Sequence, residues 1–274
     1  MPKFADDTQL EQYNVGTFGF TAQSIDELES SGYTLADIVV DVSGSTGPFE
    51  KEMESALKCA IVSLKGDPAT GVKPHPKADS MMVRITRFHD QVEEVIGYTL
   101  LANIDIDSLT GSLSPKGATA LFDAIISGSE AAFHYADALR KQGYDVNGIM
   151  IVITDGMNNS GKNFAGLDSL GHPYPSKDLY EKCLKTTASA MKLPLTGEAM
   201  ESYVSILIGV NLGSCRDKLE SIHTGVGFTQ EMIALDDASP KTIGKIGKFV
   251  SESVSSQSQA RGTGGPSQAI ASTI

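Results

Sequence analysis

Asp41, Ser43 and Ser45 stand at spacing two where an apolar run ends, in Ile38-Val39-Val40-Asp41-Val42-Ser43-Gly44-Ser45. One carboxylate and two hydroxyls at that spacing are oxygen donors of the kind a hard cation takes. They suit Mg²⁺ (or Mn²⁺) better than Zn²⁺, which prefers nitrogen and sulfur. A plain loop with a helix-capping Ser would carry the same residues without any chemistry. Two further segments enlarge the set. Lys116-Gly117-Ala118-Thr119 puts a hydroxyl on a glycine-bearing loop that opens a helical pattern, and Gly148-Ile149-Met150-Ile151-Val152-Ile153-Thr154-Asp155 is a second apolar run that ends in an Asp. Asp41, Ser43, Ser45, Thr119 and Asp155 thus form a set of oxygen side chains drawn from three loops.

Such a set meets only if the elements behind it converge. A buried parallel strand reads as an unbroken apolar run, and ligands gather at its carboxyl end. Strand one, about 36–43, leads to a helix at about 49–64 with Met53, Leu57, Ala60, Ile61 and Leu64 at helical spacing. Segments 81–88 and 92–96 flank the tight His89-Asp90-Gln91 connection and read as a hairpin with one antiparallel edge. A helix at about 120–142, a strand at 149–154, a helix near 176–192, a strand at 203–209, a helix near 214–223, a strand near 228–235 and a helix at about 239–255 follow. Strands alternating with helices of this length specify an α/β fold with a doubly wound, mostly parallel sheet and helices on both faces. On the final helix Ile243, Ile246, Val250 and Val254 share one face with Phe249 beside them, so a narrow apolar stripe should dock on the sheet, with Gly244 and Gly247 on the other side.

The order of these elements and the five oxygen residues resemble a von Willebrand factor A (VWA) domain and its metal-ion-dependent adhesion site over roughly residues 35–256. The resemblance implies that Ser43, Ser45 and Thr119 ligate one Mg²⁺ (or Mn²⁺) through their hydroxyls. Asp41 and Asp155 would act mainly through water and charge, and a partner protein would offer an Asp or Glu to the open position. It further implies an adaptor: similar domains in intracellular bacterial and phage-like settings work beside MoxR-type AAA+ ATPases or with kinase and phosphatase modules.

Enzyme chemistry is the competing class. Aspartyl-phosphate phosphatases also begin with an Asp at a strand end beside Mg²⁺, but their Asp-x-Asp places a second acid where this chain has Ser43. No Gly-x-Ser-x-Gly and no phosphate loop of the Gly-x-x-x-x-Gly-Lys-[Ser/Thr] type occurs. The expectation is therefore a binding module and not an enzyme. A Mg²⁺-dependent phosphatase-like enzyme and an assembly subunit with a vestigial metal site are the alternatives.

The rest of the chain narrows the setting. A net charge of −12 without a Lys/Arg block lacks the electrostatic footprint of nucleic-acid binding. The longest unbroken apolar run, 149–153, is far short of a membrane span, and the first residues lack a signal peptide's hydrophobic centre, so a cytoplasmic protein is expected. Cys59, Cys183 and Cys215 are isolated, which suggests packing rather than disulfides or zinc, and the five histidines show no ligand spacing. Residues 1–34 read as an extension that docks as a short helix or edge strand beside strand one. Residues 35–256 form the domain, and 257–274 form a Ser/Gln/Gly-rich mobile tail. Asn158, Asn159 and Lys162 follow Asp155 and lie where a partner would approach, although ordinary loop roles account for them as well.

Overall fold

A computed structural model describes residues 10–167, 170–260 and 274. Its strands are β1 (Leu10–Tyr13), β2 (Phe20–Gln23), β3 (Gly32–Asp41), β4 (Met81–Phe88), β5 (Val92–Leu100), β6 (Asp145–Thr154), β7 (Gly166–Leu167), β8 (Pro173–Tyr174), β9 (Ser202–Val210) and β10 (Ile233–Leu235). Its α-helices are α1 (Glu50–Lys65), α2 (Leu121–Lys141), α3 (Lys177–Lys192), α4 (Arg216–Val226) and α5 (Pro240–Ala260). Eight strands form one sheet in the order β1-β2-β5-β4-β3-β6-β9-β10, and β7 pairs with β8 apart from it. The run from β4 through β3, β6 and β9 to β10 is parallel, and β5 returns antiparallel to β4. This is the doubly wound α/β sheet that the alternation of elements requires.

Strand β3 is buried along its whole length because both its faces are covered. Leu35 and Val39 join a core with Met150, Val152, Leu121 and Tyr135 on the side of α2, α3 and α4, whereas Ala36, Ile38 and Val40 join Ile151, Ile206, Leu57 and Ile246 on the side of α1 and α5. The period of two along one strand thus feeds two cores. The apolar positions expected on α1, Met53, Leu57, Ala60, Ile61 and Leu64, are all buried.

Helix α5 buries Ile243, Ile246, Phe249, Val250 and Val254 as its spacing predicts, and it runs to Ala260, beyond the expected end near 255. The placing of Gly247 on its outer side is corrected. A Cβ on Gly247 would lie 2.3 Å from the carbonyl oxygen of Ala56, so this glycine is where α5 crosses α1 at close range. Gly244 does face open space. Helix periodicity locates a stripe facing the sheet, but a second helix alongside is a tertiary fact that it does not encode.

The N-terminal segment docks as strands, on a different neighbour from the one expected. β2 pairs with β5 through Ala22 and Tyr98, not with β3, and β1 completes the edge antiparallel to β2. A single 3₁₀ turn, Ile25–Glu27, stands where Ser24 looked like a helix start, and the Ser24 side chain makes no cap bond there. Besides the burial of Phe20 and Ala22, an ion cluster inside the sheet reaches the extension. Arg84, fully buried on β4, donates to Asp37 on β3 (Nη1 to Oδ2, 2.9 Å) and to Glu94 on β5 (Nε to Oε2, 2.7 Å). Glu94 in turn accepts the backbone N–H of Thr21 at 3.0 Å. A buried guanidinium is tolerable only when its charge and donors are matched, and two carboxylates and Ser127 match them here.

The mobile tail expected over 257–274 falls mainly on residues outside the described set. Of its described part, 257–260 continue α5, and Ile274 rests against the core on the α1 and α5 side.

Candidate metal centre

Asp41 ends β3 and Asp155 follows β6, and the two strands are paired in register up to Val40 and Ile153, so both acids reach the same edge of the sheet. Asp41 is buried and held at both oxygens. Its Oδ1 accepts the Ser43 backbone N–H at 2.8 Å and its Oδ2 accepts the Thr154 hydroxyl at 2.6 Å. The chain then turns through a 3₁₀ segment, Gly44–Phe49, into α1. Within this turn the Ser43 and Ser45 hydroxyls lie 3.2 Å apart, and Ser45 donates to Asp155 Oδ1 at 2.9 Å. Two of the three loops are therefore joined through the side chains that the sequence singled out.

Thr119 comes from the third loop, just ahead of α2, and is buried. Gly117 turns this loop with φ +65°. Its carbonyl accepts the Gly44 N–H at 3.1 Å, and the Lys116 N–H donates to Val42 O at 2.8 Å, which draws the loop against the end of β3. The Thr119 hydroxyl faces the residue after Asp155, since a Cβ on Gly156 would sit 3.9 Å from its Oγ1. All five residues are thus positioned at one end of the sheet.

Several residues around the set carry no distinguishing pattern in the sequence, or only that of an ordinary loop. Asn158, buried, accepts the Phe122 N–H at 2.9 Å and donates to Ala165 O at 2.6 Å, so it caps α2 and braces its own loop. Asp123 accepts the Asn163 N–H at 3.0 Å and the Asn163 side-chain amide at 2.7 Å, and also the Lys162 N–H. Asp90, in the β4–β5 connection, accepts from the Ala118 N–H and from the Ser160 hydroxyl, both at 3.0 Å. Lys162 is exposed, with its ammonium 4.5 Å from the centre of the Phe18 ring. Proximity to Asp155 in sequence was the one available signal for the asparagines; Asp90 and Asp123 carried none.

Burial dominates the electrostatics of the two acids. Burial pushes the Asp41 carboxyl up to about 6, against the hydrogen bonds from Thr154 and Ser43 that pull it down, and the charge of Asp155 adds to the rise. Burial raises Asp155 too. Among the described residues neither acid has a cationic side chain in ion-pair range, so two carboxylates share this edge without compensation. The donor set is oxygen alone, two carboxylates and three hydroxyls, and it fits Mg²⁺ or Mn²⁺. Among the described residues no group of three or more His, Cys, Asp or Glu could hold a metal, so a cation here depends on the hydroxyls.

Cys59, Cys183 and Cys215 are free. His75, His89 and His223 are engaged with Ser255, Glu93 and the Gln230 carbonyl. No described helix is long and apolar enough to cross a membrane.

No protein-family model matches the chain, and no curated protein matches it. Among solved structures it is similar to the PilB minor pilin from Streptococcus sanguinis, at 13% identity and a TM-score of 0.57, over 85% of this chain and 64% of that one. It is similar to the pilus adhesin SpaC from Lactobacillus rhamnosus GG, at 16% identity and a TM-score of 0.55, over 93% of this chain and 36% of that one. A von Willebrand factor type A structure from Catenulispora acidiphila matches at 13% identity and a TM-score of 0.48, over 92% of this chain and 52% of that one. The chain spans less than two thirds of the length of each, and for the two pilus proteins the likeness, at these identities, is one of fold.

Proposed function

We propose that this chain is a metal-dependent protein-binding module of the von Willebrand factor A type. In this reading Asp41, Ser43, Ser45, Thr119 and Asp155 hold one Mg²⁺ or Mn²⁺, and a partner protein presents an Asp or Glu carboxylate to it. The observation that carries the reading is the hydrogen-bonded line from Ser43 through Ser45 to Asp155, which gathers oxygen donors from two loops over a pair of uncompensated carboxylates. The bound cation would supply a Lewis-acidic position for the incoming carboxylate. The chain's own residues do the rest. Asp41 is oriented in advance by Ser43 and Thr154, so little ordering is left to the moment of binding. Ser45 is exposed and Asp155 half-buried, which puts them on the side from which a partner comes.

Catalysis is outside this proposal. Ser43 stands where a phosphatase needs its second acid. Binding is also the work of the pilus adhesin whose fold the chain shares. The cytoplasm is the proposed compartment, on the odd number and isolated spacing of the three cysteines in the sequence. A MoxR-type AAA+ ATPase or a kinase or phosphatase module is the proposed kind of partner. The deciding experiment is a Mn²⁺ titration followed by electron spin resonance on the wild type and Asp41→Ala. One site in the wild type and none in the variant is expected, and equal binding by the two would sink the proposal.

A further inference from the structure

Asn159 meets Thr119 at both of its backbone groups. The side-chain Oδ1 of Asn159 accepts the Thr119 N–H at 2.7 Å, and the Asn159 backbone N–H donates to Thr119 O at 2.9 Å. The Ser160 N–H reaches the same carbonyl at 3.1 Å. One residue of the loop after Asp155 therefore grips, from both sides, the backbone that carries the third hydroxyl of the proposed site. Its neighbour Asn158 does something different, since its side chain caps α2 at Phe122 and hydrogen-bonds the Asn163 and Ala165 carbonyls.

We infer that Asn159 is a positioning residue for the metal centre: it fixes Thr119 relative to Asp155, so that the second and third loops present their donors as one rigid piece. The inference rests on the proposed metal site and adds to it a residue outside the donor set. Thr119 precedes the first turn of α2, where backbone N–H groups lack partners within the helix, and an unheld residue there samples several backbone conformations. Its hydroxyl can serve a small cation, which demands near-ideal geometry, only if the backbone beneath it is fixed. Asn159 supplies that constraint from the loop that also carries Asp155. Groups that orient metal ligands in this way commonly change affinity by about ten- to a hundredfold when removed.

The test is a double-mutant cycle on Mn²⁺ affinity, measured by electron spin resonance on the full chain. It uses wild type, Asn159→Ala, Thr119→Ala and the double variant, with Asn158→Ala as the comparison. Asn159→Ala should weaken Mn²⁺ binding by about tenfold or more. Thr119→Ala should weaken it at least as much, and the double variant should bind no worse than Thr119→Ala alone, because Asn159 acts only through Thr119. Asn158→Ala should lower the melting temperature and leave Mn²⁺ affinity within about twofold of wild type, since it supports the helix and not the donor. If Asn159→Ala fails to fold, Asn159→Ser shortens the reach while keeping a polar side chain, and the same cycle is run on it. Unchanged affinity in the folded Asn159 variant would overturn the assignment, and so would losses that multiply in the double variant. Both outcomes leave the metal site itself standing. A wild type that binds no Mn²⁺ would overturn the metal site and this assignment together.

Discussion

Glu93, at the start of β5, shows how single charges are managed beside the candidate site. Burial alone would raise its carboxyl, but Lys116, His89 and Arg87 outweigh that and hold it down at about 2. Its ordinary value is 4.5, so the folded chain binds this proton less readily than the unfolded chain does. The resulting stabilisation is complete above about pH 4.5 and is lost as the pH falls through about 2. Glu93→Gln should therefore be less stable than wild type by a constant margin above pH 5. The margin should close as the pH falls below 4.5, as read from urea midpoints over a pH series. Thr154 offers a second case. Its hydroxyl relieves a buried carboxylate, and Thr154→Val leaves Asp41 with one donor fewer, so a loss of about 1–3 kcal/mol is expected in urea unfolding. The gathering of the five oxygen residues at one end of the sheet was legible in the sequence because each sits in a short local pattern at a strand end or helix start. Thr154, Asp90, Asp123 and Asn159 work through contacts made across 28 to 113 positions of chain, and no local pattern records those.

At the level of elements, the two interior glycines of α5 make opposite predictions. A methyl group on Gly247 would collide with the Ala56 carbonyl, so Gly247→Ala must push α5 and α1 apart and should cost about 1–3 kcal/mol despite the better helix propensity of Ala. Gly244 faces open space, and Gly244→Ala should stabilise the protein by up to about 1 kcal/mol. Chemical denaturation of the two variants side by side reads the sign directly, and a like sign in both would remove Gly247 as the crossing point. The stripe on α5 and the buried positions of α1 followed from periodicity alone. The N-terminal strands did not, because β1 and β2 are four residues each and β1 is half exposed, too short and too mixed to show a period of two. They meet β5 through the Ala22–Tyr98 pairing and the Glu94–Thr21 hydrogen bond, contacts that no local pattern records.

For the molecule as a whole, the candidate site couples to folding through mass action. A cation that binds only the folded chain adds about 2.7 kcal/mol at a hundredfold excess over its Kd. Mg²⁺ should therefore raise the melting temperature of the wild type, and the rise should vanish with chelator and in Asp155→Asn. A shift of equal size in that variant would point to cations attracted elsewhere by the net charge of −12. Sheet order gives the whole chain another property. β2 is made early, yet its partner β5 lies some seventy residues further on, at Val92–Leu100. On the ribosome, Phe20 and Ala22 emerge long before Tyr98 exists to cover them, and at typical synthesis rates of about 5–20 residues per second that interval lasts several seconds. β2 is thus a strand that must wait for its partner to be made, and until then its unpaired edge is open to chaperones and to other chains.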